Sequence, residues 1–132
     1  MRYDDRQERI IQSFGISVAK NDMKFHYFFS LNVSKSGLLI AADTYVDFSK
    51  NDFLYVFIDP WKLDMGKTIS CTATVKRLAK GESKGLEEYI SFTGCPPDTS
   101  SIFGIEIDHM SDSDYKIWCK YLDRLVNYEN IA

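Results

Sequence analysis

The spacing of apolar residues constrains this chain most. Up to Ile107 they come in short bursts cut off by turn residues, and only beyond His109 does a longer rhythm take over. Ile10, Gln12, Phe14, Ile16 and Val18 step at roughly period two, as one face of a strand does. Asn21-Asp22 is a turn signal, and the aromatic-rich run Met23 to Leu31 returns as the partner of a hairpin. Asn32 to Gly37 holds turn residues, and Leu38 to Ala42 is a short apolar strand. After a turn at Ser49 to Asp52, Phe53 to Ile58 is β-branched and aromatic, which predicts a buried strand ended by Asp59-Pro60. Thr68 to Leu78 alternates cleanly, with Ile69, Cys71, Ala73 and Val75 on one face and Ser70, Thr72 and Thr74 on the other. Lys80 to Gly85 reads as a hairpin loop, Glu88 to Thr93 as a strand, Gly94 to Ser101 as a loop, and Ile102 to Ile107 as the last strand.

The final segment has a helical period. Ser111 suits an N-cap, with Asp114 three residues on in the place of a capping-box Glu, and Asp112 and Asp114 suit the positive end of the helix dipole. Tyr115, Trp118, Cys119, Leu122, Leu125 and Val126 form one apolar stripe, so a helix is predicted over 111–128. Many short strands between frequent turns favour an antiparallel barrel or sandwich. The prediction is a mainly β chain, a six- to seven-stranded antiparallel β-barrel over 10–108 with one C-terminal α-helix, preceded by a basic arm over 1–9. At 132 residues and 45% hydrophobic, with no Pro- or Gly-rich linker, residues 1–132 are expected to be a single domain.

Charge and cysteine usage narrow the functional classes. A net charge of -3 disfavours a broad footprint on a nucleic-acid polymer, while a local cluster of arginines can still hold an anion. Cys71, Cys95 and Cys119 form no CxxC pair, so structural zinc and a disulfide framework are not expected, and they read as small buried hydrophobes in a reducing compartment. The polar start, Met1 to Glu8, does not look like a secretory signal, and no apolar run approaches a membrane span. A cytoplasmic protein without membrane insertion is expected. His26 and His109 sit in no metal or triad spacing, and no Gly-rich phosphate loop occurs, so neither a catalytic site nor a metal site is predicted.

Two elements suit anion and base recognition. Arg2 and Arg6, with Arg9 following, can grip phosphate oxygens and the guanine edge or stack on its face; alone, such a run is more often solvated charge. In Asn32-Val33-Ser34-Lys35-Ser36-Gly37 the side chains of Asn32 and Ser34 can shape a turn or face outward to a ligand, and Gly37 permits positive φ or a close backbone approach. A plain hairpin turn is the ordinary reading of that hexapeptide by itself.

Together these elements resemble the PilZ domain family: an RxxxR arm (Arg2 to Arg6), two strands, then [D/N]xSxxG opening an apolar strand. Ala73-Thr-Val-Lys-Arg77 is similar to that family's middle barrel strand, and Phe103-Gly-Ile-Glu-Ile-Asp108 to its last strand. The chain differs in having Ser36-Gly37 where Gly-Gly is common, and an extra stretch from Lys80 to Ser101. The resemblance implies a non-enzymatic effector without a cofactor, whose ligand is cyclic di-GMP. By that resemblance Arg2 and Arg6 clasp guanine and phosphate, Asn32 and Ser34 meet a guanine edge and nearby phosphate, and Gly37 holds the turn. Arg9, Lys35 and Ser36 would be additional contacts, and an unidentified protein partner would receive the signal. The alternative is a ligand-free PilZ-like protein-interaction domain in a pilus, flagellar or secretion assembly, suggested by the aromatics Phe25, Tyr27, Phe28, Phe29, Phe53 and Tyr55 and by the helix stripe. A small immunity-type inhibitor is a weaker third reading.

Overall fold

The computed structural model describes residues 15–58, 67–80 and 99–131, with side chains described over 15–58, 67–78 and 99–124. These residues form β1 (Gly15–Ala19), β2 (His26–Ser34), β3 (Gly37–Ala42), β4 (Phe53–Ile58), β5 (Ile69–Lys80), β6 (Ser101–Met110) and one helix, α1 (Asp112–Ile131). The strands close into a barrel in the order β1-β2-β3-β6-β5-β4, and every pairing is antiparallel. Among the described strands closure leaves no edge strand, so a small sheet can expose aromatic residues on its outer face without a free backbone ladder beside them. The expected fold class holds. The predicted arm over 1–9, the predicted hairpin loop at Lys80 to Gly85 and the predicted strand at Glu88 to Thr93 lie outside the described residues.

The alternation read from the sequence sets the core. Ile16, Val18, Phe28, Val33, Leu38, Ile40, Leu54, Val56, Ile58, Ile69, Ala73, Val75 and Phe103 are buried in one inner cluster. β5 faces as its pattern predicts, with Ile69, Cys71, Ala73 and Val75 inward. β2 begins at His26 rather than Met23, because Met23 takes a left-handed φ of 59° and donates its N–H to the Lys20 carbonyl at 3.0 Å. The preceding Asp22 carboxylate accepts the Lys24 N–H at 3.0 Å, which carries the turn further along the chain.

Two core residues come from outside the strands. Val46 and Phe48, in the connection between β3 and β4, are almost wholly buried, and Phe48 packs on Phe28 and Phe103 with ring centroids 5.9 and 5.3 Å apart. Ser101 pins this connection: its hydroxyl accepts the Val46 N–H and donates to the Thr44 carbonyl, each at 3.0 Å. Ser100 adds a backbone bond to Ala42 at 2.9 Å.

The terminal helix closes the core from the end of β6. Ser111 is its N-cap, with its hydroxyl accepting the Asp114 N–H at 3.2 Å and its carbonyl accepting the Tyr115 N–H at 2.8 Å. The reciprocal half of a capping box is replaced by a tie to the barrel. Asp114 turns inward, where it accepts the Ser70 N–H at 3.2 Å and meets the Lys67 ammonium at 2.6 Å. Among the described residues the buried stripe is therefore Asp114, Ile117, Trp118, Tyr121 and Leu122, rotated from the predicted one, and Tyr115 is left exposed, while the side chains of Leu125 and Val126 lie outside the described residues. Trp118 and Tyr121 stack with centroids 6.2 Å apart.

Candidate functional site: the β2–β3 hairpin and its outer row

The sequence-predicted turn is the β2–β3 hairpin. Val33 pairs with Leu38 and Ser34 with Gly37, leaving Lys35 and Ser36 as a two-residue turn. Neither turn residue has positive φ, so this is not one of the primed turns that two-residue hairpins favour. The neighbouring strand supports it instead, for Ile107 on β6 donates its N–H to the Ser36 carbonyl at 2.8 Å. Gly37 does not use the left-handed region. Its need is space: a Cβ there would sit 2.8 Å from the Ile105 carbonyl oxygen. Ser34 is buried, and its hydroxyl donates across the turn to the Gly37 carbonyl at 3.4 Å, a long bond.

A bulge decides which way the polar residues point. In β2 the register slips between Ser30 and Asn32, leaving Leu31 as the extra residue. Phe28 faces the core before the bulge and Val33 faces it after. Asn32 and Ser34 therefore flank an inward residue and lie on the outer face. Asn32 is half-buried and stands opposite Leu39, itself on the outer face with Ala41, Ile102, Phe29 and Leu31. The row continues across two more strands: Leu39 pairs with Gly104 on β6, and Gly104 with Arg77 on β5. A second bulge, between Val75 and Arg77, is what turns Arg77 outward. Its side chain lies over Gly104, where a Cβ would find the Arg77 Nε at 3.4 Å and its Cβ at 3.6 Å. Neither Arg77 nor Gly104 follows from the alternation of the sequence alone, since each bulge reverses the parity; only the knowledge of the register brings them into line with Asn32.

Of the predicted site residues, Asn32, Ser34, Lys35, Ser36 and Gly37 come together on this hairpin, while Arg2, Arg6 and Arg9 lie outside the described residues. The hairpin also touches the helix, with the Lys35 ammonium 3.3 Å from the Asp123 carboxylate. Lys76, the outward neighbour of Arg77, is paired with Glu106 at 3.3 Å. Both pairs are largely exposed, so neither holds its cation strongly.

Away from this row two other surfaces stand out. A shallow cleft of about 240 Å³ lies between Tyr55, Phe57, Thr72 and His109 and reaches Ser111 at the start of α1. Beneath it, burial and then the nearby Asp108 and Asp114 push the Cys71 thiol up to about 12, so it stays protonated and unreactive at neutral pH. The hydrogen bond from Lys67, with that of the Ser70 N–H, outweighs burial and lowers the pKa of Asp114. Phe25, just before β2, Tyr27 on β2, and Phe53 and Phe57 on β4 are exposed, with Tyr27 the most open at 68%. Tyr27 lies across Gly15, where a Cβ would come within 2.2 Å of its hydroxyl. No helix among the described residues is long and apolar enough to cross a membrane.

A closed six-stranded antiparallel barrel followed by a helix, with a polar β2–β3 turn on its outer face, is the PilZ fold. The PilZ domain of YcgR from Escherichia coli, solved with c-di-GMP, superposes with a TM-score of 0.64 at 10% identity over 94% of this chain and 92% of that one. The PilZ domain of CeSA from a cellulose-synthesizing bacterium gives 0.55 at 13% identity, over 92% of this chain and 98% of that one. The Bacillus subtilis inhibitor of motility MotI/DgrA gives 0.66 at 13% identity over 92% of this chain, which spans 51% of that protein. No protein-family model and no curated protein sequence matches the chain. At these identities the likeness establishes the fold.

Proposed function

We propose that this chain is a cyclic di-GMP-binding effector domain that works by binding rather than catalysis and passes its signal on through protein contacts. The carrying observation is the hairpin itself. Asn32 and Ser34 share the outer face, and Gly37 draws the turn tight against β6. A similar barrel, that of YcgR, has been solved with c-di-GMP. In this reading Asn32 offers its amide to a guanine edge, and Ser34 exchanges its long intrahairpin bond for a phosphate or base contact. Arg2 and Arg6 close from the arm, with Arg9, Lys35 and Ser36 at the margin. Calorimetric titration of Arg6→Ala and Asn32→Ala tests the assignment. Each is expected to weaken cyclic di-GMP binding by about tenfold or more, the scale of one lost charge-assisted or base-edge contact. Affinities unchanged in both variants would remove the site from this hairpin.

The exposed aromatics Phe25, Tyr27, Phe53 and Phe57 favour a second reading, a protein-contact domain indifferent to nucleotide. Its mark would be co-purification with a pilus, flagellar or secretion component that survives Tyr27→Ser poorly and is unchanged by cyclic di-GMP.

A further inference from the structure

We propose that Arg77 is a further ligand-binding residue, the far wall of a site that runs across four strands from Asn32. This rests on the reading of the chain as a cyclic di-GMP receptor and names a contact that the [D/N]xSxxG hairpin and the arginine arm do not supply. Asn32, Leu39, Gly104 and Arg77 occupy one continuous cross-strand row on the outer face of β2, β3, β6 and β5. Three strand spacings separate the ends of that row by about 14 Å of backbone. The Arg77 side chain shortens the gap because it lies back over Gly104 toward Leu39, with Nε 3.4 Å and one terminal nitrogen 3.8 Å from where a Cβ of Gly104 would be.

Three features make this arginine a ligand group rather than ordinary surface charge. It is exposed, and among the described residues no hydrogen bond or ion pair engages its guanidinium. Its neighbour Lys76 differs in being paired with Glu106. Gly104 leaves the strand bare beneath it, so the guanidinium can lie along the sheet instead of standing off it. A planar cation lying along a sheet offers a face to a purine and an edge to phosphate oxygens, and a lysine at that position can do only the second. A cyclic dinucleotide carries two guanines and two phosphates. One guanine engaged at Asn32 leaves the other half of the molecule to be held further along the row, where Arg77 lies.

Calorimetry with cyclic di-GMP on the full chain tests this. The expected result is saturable binding by the parent, a loss of about tenfold or more in Arg77→Ala, and only partial recovery in Arg77→Lys, since the ammonium keeps the charge and loses the plane. Lys76→Ala, a control of equal charge, should stay within about twofold, as a rim charge does. Gly104→Val puts a branched side chain where the guanidinium rests, so it should weaken binding in the parent and have no further effect in Arg77→Ala, the signature of one shared interaction. Arg77→Ala binding as the parent does, or Lys76→Ala and Arg77→Ala falling equally, would overturn the assignment while leaving the receptor reading intact. A parent with no saturable heat overturns the receptor reading, and this one with it.

Discussion

Alanine at Gly37 adds a single methyl group where two strands meet. That carbon would lie 2.8 Å from the Ile105 carbonyl oxygen, roughly half an ångström inside ordinary contact, and both sides of the clash are backbone. Neither can rotate away, so β3 must lift from β6 near their shared end, where Gly37 pairs with Glu106 and Ile107 donates to Ser36. Overpacking of this kind costs about 1–3 kcal/mol. For a domain of this size each kcal/mol lowers the melting midpoint by roughly 3–5 °C. A fall of about 3–15 °C is therefore expected in thermal unfolding followed by circular dichroism. The Ile107 amide should also exchange faster with deuterium, because its acceptor sits on the displaced turn. If Gly37 mattered only for the approach of a ligand, the free protein would not notice the substitution. A midpoint unchanged to within about 1 °C, with Ile107 still protected, would refute the packing argument.

Other consequences are equally concrete. The Asp114 pKa is lowered in the fold, so its stabilisation is present above the ordinary carboxylate pKa near 3.8 and is lost as pH falls through the lower folded value. Asp114→Asn should thus flatten the acid limb of the stability–pH curve while costing about 1–3 kcal/mol at pH 7, where Lys67 loses its charged partner and the Ser70 N–H is left with an uncharged amide acceptor; an unchanged acid limb would contradict it. The raised Cys71 pKa stabilises the fold fully below the ordinary thiol value of 9.0 and is lost as pH rises toward about 12. Alkylation at pH 8, read by peptide mass spectrometry, should therefore label half-buried Cys119 well before buried Cys71, and equal rates would contradict the packing of β5. Ser101→Ala removes the acceptor of the buried Val46 N–H and should destabilise by about 1–3 kcal/mol in urea unfolding, whereas the exposed Ser113→Ala should be near neutral.

The strands were legible because the barrel has one wet face and one dry face, and strict alternation follows from that. β5 follows its alternation from Ile69 to Val75 for this reason, whereas β4, expected to be a buried strand, buries only Leu54, Val56 and Ile58, because its outer face carries the aromatics Phe53, Tyr55 and Phe57. Three things did not follow. Val46 and Phe48 enter the core from a connection, where no ladder imposes a period and only their own spacing of two hints at burial. The helix face turns on Asp114, which suits a capping box by sequence but points into the barrel, where the Lys67 ammonium and the Ser70 N–H make its charge tolerable. With that residue inside, the stripe turns, bringing Tyr121 in and putting Tyr115 out. The candidate site was legible only as a string. The hairpin residues of the motif come together as expected, but the two bulges that aim Asn32, Ser34 and Arg77 to the same side have no signature in composition or period.

Amide chemical shifts recorded while cyclic di-GMP is titrated into the isotope-labelled chain report both whether the ligand binds and where. Saturable shifts are expected at Asn32 to Gly37 and at Gly104, together with the side-chain signal of Arg77, and little change at Tyr27, Phe53 and Phe57. Shifts confined to that aromatic face, or a spectrum that does not respond to cyclic di-GMP at all, would contradict cyclic di-GMP binding at this hairpin.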